Sequence, residues 1–525
     1  MPVKPSRLPS RHGVSAILLA LLALAGCATN PVTGETELAI VPTSQQIAIG
    51  RQQYEPSQQM QGGAYTIDPA LTQYVTDVGN RLAAVSDLDL PYEFEVLNSS
   101  VPNAWALPGG KIAINRGLLT ELDSEAELAA VLGHEIVHAA AGHGAQAMTR
   151  GMIIQGALLA TAVAVSASDY ANYSNLAIGA ASVGAQLVTQ KYGRDAERES
   201  DRYGMVYMQR AGYDPSAAVD LQETFVRLSQ GGSSSWLDGL FASHPPSAER
   251  VRNNRAFAAE LGAGGELGVE RYRSALSELR RRTPAYDAYD EGRAALARED
   301  AATALARART ALAIEPREAR FHALAGDALA RTHLIVDALG HYDSAVELEP
   351  GYFAHYQARG MALLSLNRMA DAQADFERSN SLLPTAGSAE ALGVIALNQG
   401  RRDDARGWFA AAAESGSGIG ERARTRLARL DLADRPQALL QTGWALDGDG
   451  VLVVEVRNGA PIPVDGIVLD LSLRVANGRI RRQEQPLRGT LGPGEGVRVR
   501  TGLVPAAGTT RDDVRVAVLR ARPAG

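Results

Sequence analysis

A spacing of 34 residues recurs in the second half of the chain and constrains its fold more than any other feature. The tripeptides Ile314-Glu315-Pro316, Leu348-Glu349-Pro350 and Leu382-Leu383-Pro384 mark three successive copies. Small residues recur at fixed phases of each copy: Gly292, Gly326, Gly360, Ala304, Ala338 and Ala372. Because small residues let paired helices approach closely, the pattern predicts stacked helical hairpins that bury their apolar faces only against neighbouring units.

These registers resemble the tetratricopeptide repeat. A further copy, one residue shorter, carries Gly393, Ala405 and Phe409 at the matching phases. The resemblance implies an α-solenoid of tetratricopeptide repeats over residues 285–433, with a curved surface that grips peptides or partner proteins. The alternative is an unrelated helical bundle.

The remainder of the chain should form further units, because 525 residues exceed what one core usually holds. Residues 437–525 alternate apolar and polar positions between Gly, Pro and Asn turns, which predicts a small all-β sandwich. Residues 46–275 combine long helical periodicity with a few strands, which indicates a mainly α unit with a small β-sheet. The net charge of -7 offers no basic surface, so nucleic acid is not an expected partner.

Residues 1–26 have the order of a bacterial lipoprotein signal peptide. A positively charged start precedes a short apolar run that ends in Leu24-Ala25-Gly26-Cys27, and this ending resembles a lipobox. We therefore expect lipidation at Cys27, the only cysteine, and a membrane tether over residues 27–45. Ala28 favours the periplasmic face of the outer membrane over retention at the inner membrane. A plain secretory signal or a buried free thiol is the alternative.

A metal-binding motif lies in the helix predicted from Glu125 to about Ala141. His134-Glu135-Ile136-Val137-His138 places two imidazoles one turn apart on the same face. Two nitrogen ligands at that spacing can hold zinc, and Glu135 stands beside the first of them as a candidate general base. The alternative is a helix that carries two surface histidines.

A second helix offers the third ligand that a catalytic zinc site needs. Glu197 and Asp201 are four residues apart within Arg194–Asp201, so both lie on one face. Glu197 can complete a His-His-Glu site, and Asp201 can accept a hydrogen bond from a ligand imidazole and fix its tautomer. Taken alone, this run would more often be a solvated, charged helix face.

With His244-Pro245 and the nearby Arg250, these motifs resemble the CAAX-prenyl-protease-1-like (HtpX/BepA-like) zinc metallopeptidases. The match covers about residues 45–275, and the repeats behind it point to the BepA-like periplasmic branch. The resemblance implies one zinc ion per chain and a general base at Glu135. The implied zinc ligands are His134, His138 and Glu197, with Asp201 behind them.

His244 has several interpretations. By resemblance it would sit over the metal, either as a blocking fourth ligand or as a donor to the oxyanion that forms during hydrolysis. It could also be a loop histidine bonded to backbone. The resemblance implies that Arg250 anchors the segment of His244 and that Arg194 supports the helix of Glu197. His143 faces elsewhere and is interpreted as structural.

A candidate substrate-binding strand precedes the zinc helix. The run from Asn103 to Gly110 resembles the edge strand of the family, whose backbone would bind an extended substrate as an added strand. The residues implied in this contact are Asn103, Ala104, Trp105, Ala106, Gly109 and Gly110.

Together these features imply a zinc-dependent metalloendopeptidase of the bacterial cell envelope. Its expected substrates are misfolded or stalled proteins, above all outer-membrane proteins, and its repeats could contact the outer-membrane assembly machinery. An envelope chaperone or assembly scaffold with latent or self-inhibited proteolysis is the alternative. A peptidoglycan-associated hydrolase is a weaker one. The apolar run 151–167 is expected to be a buried or membrane-touching helix rather than a span.

Overall fold

The computed structural model describes residues 27–38, 40–150, 192–230, 244–262, 264–475, 479–506, 508–510 and 513–524. The signal segment 1–26 and the apolar run 151–167 lie outside these residues. The chain divides into two compact units, Met1–Asn367 and Arg368–Gly525. None of the helices within the described ranges is long and apolar enough to cross a membrane.

The first unit begins with two short strands and two helices: β1 (Cys27–Thr29), β2 (Thr36–Leu38), α1 (Thr43–Met60) and α2 (Pro69–Ala83). The two strands pair antiparallel as a hairpin. Val32, in the turn between them, is buried in the core of the unit. Residues 27–45, expected as a tether, thus contain an ordered hairpin that packs on the unit, because apolar Val32 and polar Asn30 both find buried partners there.

A three-stranded sheet follows: β3 (Glu93–Leu97), β4 (Ala104–Leu107) and β5 (Lys111–Asn115). Its order is β3-β5-β4, with β3 parallel and β4 antiparallel to β5, so β4 lies at one edge. Gly109 and Gly110 form the turn from β4 to β5 with φ values of 83° and 87°. That left-handed region favours glycine, so these two residues are required by the turn itself.

Six helices of the described ranges complete the part of this unit that precedes the repeats: α3 (Arg116–Leu119), α4 (Glu125–Ala140), α5 (Arg194–Arg210), α6 (Ala217–Gln230), α7 (Ala248–Leu261) and α8 (Val269–Ala275). Every residue of α4 is buried. Ser124 caps α4 by accepting a hydrogen bond from the Glu127 amide. Helices α4 and α5 meet at Gly133 and Gly204, where a Cβ on Gly204 would lie 3.1 Å from the backbone nitrogen of His134. This close approach brings the two predicted ligand helices together.

The repeats of the first unit form α9 (Ser277–Ala297), α10 (Ala301–Ile314), α11 (Ala319–Arg331), α12 (Ile335–Leu348) and α13 (Phe353–Ser365). A Cβ on Gly326 would lie 2.6 Å from the Tyr342 ring, which explains the glycine at this phase. Tyr286 and Phe321 belong to the same buried core as α4. Glu318 accepts hydrogen bonds from Tyr286 (2.6 Å) and Asn98 (3.2 Å), so the first repeats are fixed to the part of the unit that contains β3 and α4.

The second unit contains α14 (Met369–Leu382), α15 (Ala386–Asn398), α16 (Arg402–Ala413) and α17 (Gly418–Asp434), followed by strands. The strands are β6 (Leu440–Leu446), β7 (Leu452–Asn458), β8 (Val464–Arg474), β9 (Ile480–Pro486), β10 (Gly496–Arg500) and β11 (Val514–Pro523). Two antiparallel sheets, β10-β7-β6 and β11-β8-β9, enclose an aliphatic core. The predicted fold class is confirmed: a mainly α part with a small sheet, helical repeats and a β-sandwich.

Candidate metal centre

Three imidazoles and one carboxylate converge between α4, α5 and the segment before α7. The donor atoms of His134, His138, Glu197 and His244 all lie within 4.8 Å of one another. His134 Nε2 lies 3.0 Å from His138 Nε2 and 3.3 Å from His244 Nδ1. Glu197 Oε1 lies 3.4 Å from His138 Nε2 and 3.0 Å from His244 Nδ1. Ligands about 2.0–2.1 Å from a tetrahedral zinc ion are about 3.3 Å apart, so this spacing fits such an ion.

Asp201 selects the tautomer of His134. Its Oδ1 lies 3.1 Å from His134 Nδ1, and Arg250 donates two hydrogen bonds of 2.7 Å to the carboxylate. Burial would raise the pKa of Asp201, but the charge and hydrogen bonds of Arg250 lower it below its ordinary value. An ionised Asp201 only accepts, so His134 carries its proton on Nδ1 and turns a bare Nε2 towards the cluster.

The bare Nε2 atom of His134 faces His138 Nε2 at 3.0 Å. Two nitrogen lone pairs at that distance repel each other unless a proton or a cation lies between them. Burial lowers the pKa of His138 well below its ordinary value, which disfavours the proton. Imidazole nitrogens and one carboxylate suit a divalent transition metal, so the donor set fits a metal ion.

Glu135 lies beside the cluster with its carboxylate buried. Its Oε1 is 3.5 Å from His244 Nε2, and among the described residues its Oε2 has no hydrogen-bond partner. Burial raises the pKa of Glu135 above its ordinary value. A carboxylate with a raised pKa and an oxygen that no described residue engages is suited to accept a proton, as a general base must.

His244 occupies the fourth corner of the cluster in this structure. Ser247 caps α7 by accepting from the Arg250 amide, and the Arg250 guanidinium donates to the Pro245 carbonyl at 3.3 Å. Arg250 also lies 2.9 Å from Glu197 Oε2. Arg250 thus contacts the His244 segment, Asp201 and Glu197 at the same time.

A cavity adjoins the cluster. It is lined by side chains that include Ala104, Val131, Met205 and His244.

Other predicted site residues lie further from the cluster. Arg194 is exposed at the first turn of α5. In the predicted substrate strand, Ala104 lines the cavity beside His134 and Glu135. Trp105 packs its buried ring edge-on against Tyr54. The remaining residues of that strand, Asn103, Ala106, Gly109 and Gly110, are buried.

Sequence reasoning missed four residues near the cluster. Tyr192 stacks on His138 with ring centroids 4.0 Å apart. His143, interpreted as structural, has its Nδ1 2.8 Å from His138 Nδ1, while Glu199 and Asn30 lie behind it. The only sequence signal for any of these residues was that Glu199 lies in the same acidic run as Glu197.

The family model described as peptidase family M48 matches residues 69–258. The beta-barrel assembly-enhancing protease of Yersinia pestis is 32% identical over 44% of this chain and 47% of its own length. Metalloprotease YcaL of Escherichia coli (strain K12) is 30% identical over 34% of this chain and 68% of its own. The chain spans less than half the length of the beta-barrel assembly-enhancing proteases of Yersinia pestis and Escherichia coli (strain K12).

A solved structure of a thermophilic tetratricopeptide protein of Thermus thermophilus is 21% identical over 34% of this chain and 91% of its own, with a TM-score of 0.26. The assignment of the repeats above rests on their helices and glycine contacts rather than on this likeness.

Proposed function

Because the chain belongs to peptidase family M48, we propose that it is a zinc-dependent endopeptidase of the bacterial cell envelope. The observation that carries the proposal is the convergence of His134, His138 and Glu197 with the buried Glu135 beside them. The proposed complement is one zinc ion per chain.

Each residue has a defined part in peptide hydrolysis. A bound zinc ion supplies Lewis-acid activation of the water and the scissile carbonyl. Glu135 takes the proton from the attacking water and passes it to the leaving amine, and its raised pKa suits both steps. Asp201 and Arg250 hold His134 and Glu197 in place.

The proposed substrates are extended segments of misfolded or stalled proteins, above all outer-membrane proteins. Support comes from β4, which lies at the edge of its sheet and contributes Ala104 to the cavity beside Glu135. An extended peptide could add to that edge as a fourth strand. Relatives named beta-barrel assembly-enhancing proteases support the substrate class, as the predicted lipid at Cys27 supports anchoring to the outer membrane.

The repeats are proposed to hold the substrate or a component of the outer-membrane assembly machinery. The first repeat helices share a core with the catalytic part, so a protein bound to those helices would stand at a fixed distance from Glu135. This rigidity raises the effective concentration of the substrate at the site.

The test uses the purified full chain and a denatured outer-membrane β-barrel protein. We expect about one zinc ion per chain, cleavage that a chelator abolishes, and recovery after zinc is returned. Equal cleavage before and after complete metal removal would contradict the proposal.

A second candidate, a chaperone or scaffold with a self-inhibited protease, is favoured by the position of His244. Its Nδ1 takes the fourth corner of the cluster, and its Nε2 faces Glu135. If this imidazole holds the site shut, His244→Ala should raise cleavage several-fold while the zinc content stays near one per chain. A loss of cleavage would instead assign His244 to the oxyanion. Restored growth of a deletion strain by Glu135→Gln would favour the scaffold function.

A further inference from the structure

A line of polar contacts runs from His138 to the N-terminal hairpin. His138 Nδ1 lies 2.8 Å from His143 Nδ1. His143 Nε2 faces Glu199 Oε1 at 3.6 Å, and Asn30 Nδ2 donates to the same oxygen at 2.9 Å. Asn30, His138 and His143 are buried, so bulk water does not substitute for these partners.

The donors and acceptors along this line have one consistent order. His138 turns Nε2 towards the metal-facing cluster, so its proton resides on Nδ1. That N–H needs an acceptor, and the nearest nitrogen is Nδ1 of His143. His143 must then carry its own proton on Nε2, which points at the Glu199 carboxylate. Each contact therefore selects the tautomer of the preceding group.

Asn30 is itself held firmly. Its Oδ1 accepts from the amides of Val32 (2.9 Å) and Thr33 (3.3 Å) in the hairpin turn. Val32 is buried in the catalytic core, so the hairpin cannot leave without exposing it. The amide group of Asn30 is thus fixed by its oxygen, and its Nδ2 donates to Glu37 (3.2 Å) and Glu199 (2.9 Å).

We propose that Asn30, Glu199 and His143 are positioning residues that orient His138 for zinc, and that the N-terminal hairpin is therefore part of the metal site. Asp201 and Arg250 orient His134 in a comparable way. The inference rests on the proposed zinc site. It gives the N-terminal hairpin a role in supporting the metal site, beyond the expected role of residues 27–45 as a membrane tether.

The test measures zinc affinity by chelator competition on the full chain, with the visible spectrum of the cobalt(II)-substituted protein as a second readout. We expect His143→Ala and Glu199→Gln to weaken zinc binding by about 10- to 100-fold and to alter the cobalt bands. His143→Asn retains an acceptor oxygen near the position of Nδ1 and should recover much of the affinity. Glu260→Gln, an exposed change of the same kind on α7, is the matched control.

Asn30→Asp probes the hairpin separately. It keeps the oxygen that accepts from Val32 and Thr33, so the turn should persist, but it loses the N–H that binds Glu199. We expect weaker zinc binding, together with a lower melting temperature of the metal-free protein because the buried new carboxylate faces Glu37 and Glu199. Asn253→Asp, an exposed change on α7, should leave both values unchanged.

Parent-like zinc affinity and cobalt spectra in His143→Ala and Glu199→Gln would overturn the inference. So would equal losses in His143→Ala and His143→Asn, because they would reduce the role of His143 to packing. Failure of the parent chain itself to bind zinc would instead refute the proposed function.

Discussion

Replacing Asp201 by Asn tests whether the metal site depends on a polarised support. The carboxylate accepts from His134 Nδ1 at 3.1 Å and from Arg250 at 2.7 Å twice. An amide of the same shape has one acceptor oxygen and one NH2 group. With the oxygen in the place of Oδ1, the NH2 group would face the Nε–H of Arg250; with the oxygen in the place of Oδ2, it would face the N–H of His134. Either orientation loses a hydrogen bond of this support, and the second disfavours the His134 tautomer that binds metal.

Loss of such a support costs about 10- to 100-fold in metal affinity. That range corresponds to about 1.4–2.8 kcal/mol, since each tenfold change is worth about 1.4 kcal/mol. We expect Asp201→Asn to raise the zinc dissociation constant by this factor, measured by titrating the metal-depleted full chain against a chelator of known affinity.

Asp195→Asn is the matched control on the same helix. The Asp195 side chain is 99% exposed and pairs only with the surface residue Arg198 among the ion pairs of the described residues. The zinc dissociation constant of the Asp195→Asn variant should equal that of the parent. An unchanged constant in Asp201→Asn, or an equal rise in both variants, would refute the reasoning.

Two further predictions concern stability. Gly326→Ala should lower the free energy of unfolding by about 1–3 kcal/mol because its Cβ would lie 2.6 Å from the Tyr342 ring. A Cβ on Gly340 would have no neighbouring atom within 4 Å, so Gly340→Ala should raise the free energy of unfolding by up to about 1 kcal/mol. Thermal melts in which the two variants shift alike would contradict this pair of predictions. Burial raises the pKa of Glu127 from 4.5 to about 7, so the parent loses stability as pH rises through that window. Glu127→Gln should gain stability relative to the parent between those pH values and stay level above them; a flat difference would contradict the assignment.

Local patterns made most of the fold and the grouping of the candidate metal ligands predictable. His134 and His138 are spaced by one helical turn, as are Glu197 and Asp201, so periodicity alone placed each pair on one face. The 34-residue spacing likewise predicted where helices must touch, and the contact of Gly326 with Tyr342 shows why a glycine stands there. Such patterns are readable because their physical cause lies within one element.

Contacts between distant segments could not be predicted. Asn30 and Glu199 are 169 residues apart, and neither belongs to a periodic pattern that points at the other. The composition of residues 27–45, rich in turn formers, is equally typical of a tether and of a tight hairpin. His143 stands five residues after His138, so helical spacing places it on another face. A turn after α4, where Gly142 has a φ of 68°, brings it back to the ligand.

The most direct test of the account is the ratio of cleavage rates of Glu135→Gln and the parent chain, with zinc content measured on the same samples. The substitution keeps the shape of the side chain and removes the group that accepts a proton. We predict about one zinc ion per chain in both proteins and a fall in kcat of at least about 100-fold in the variant. Parent-like cleavage by a zinc-loaded Glu135→Gln protein would contradict the assignment of Glu135 as the general base of a zinc endopeptidase.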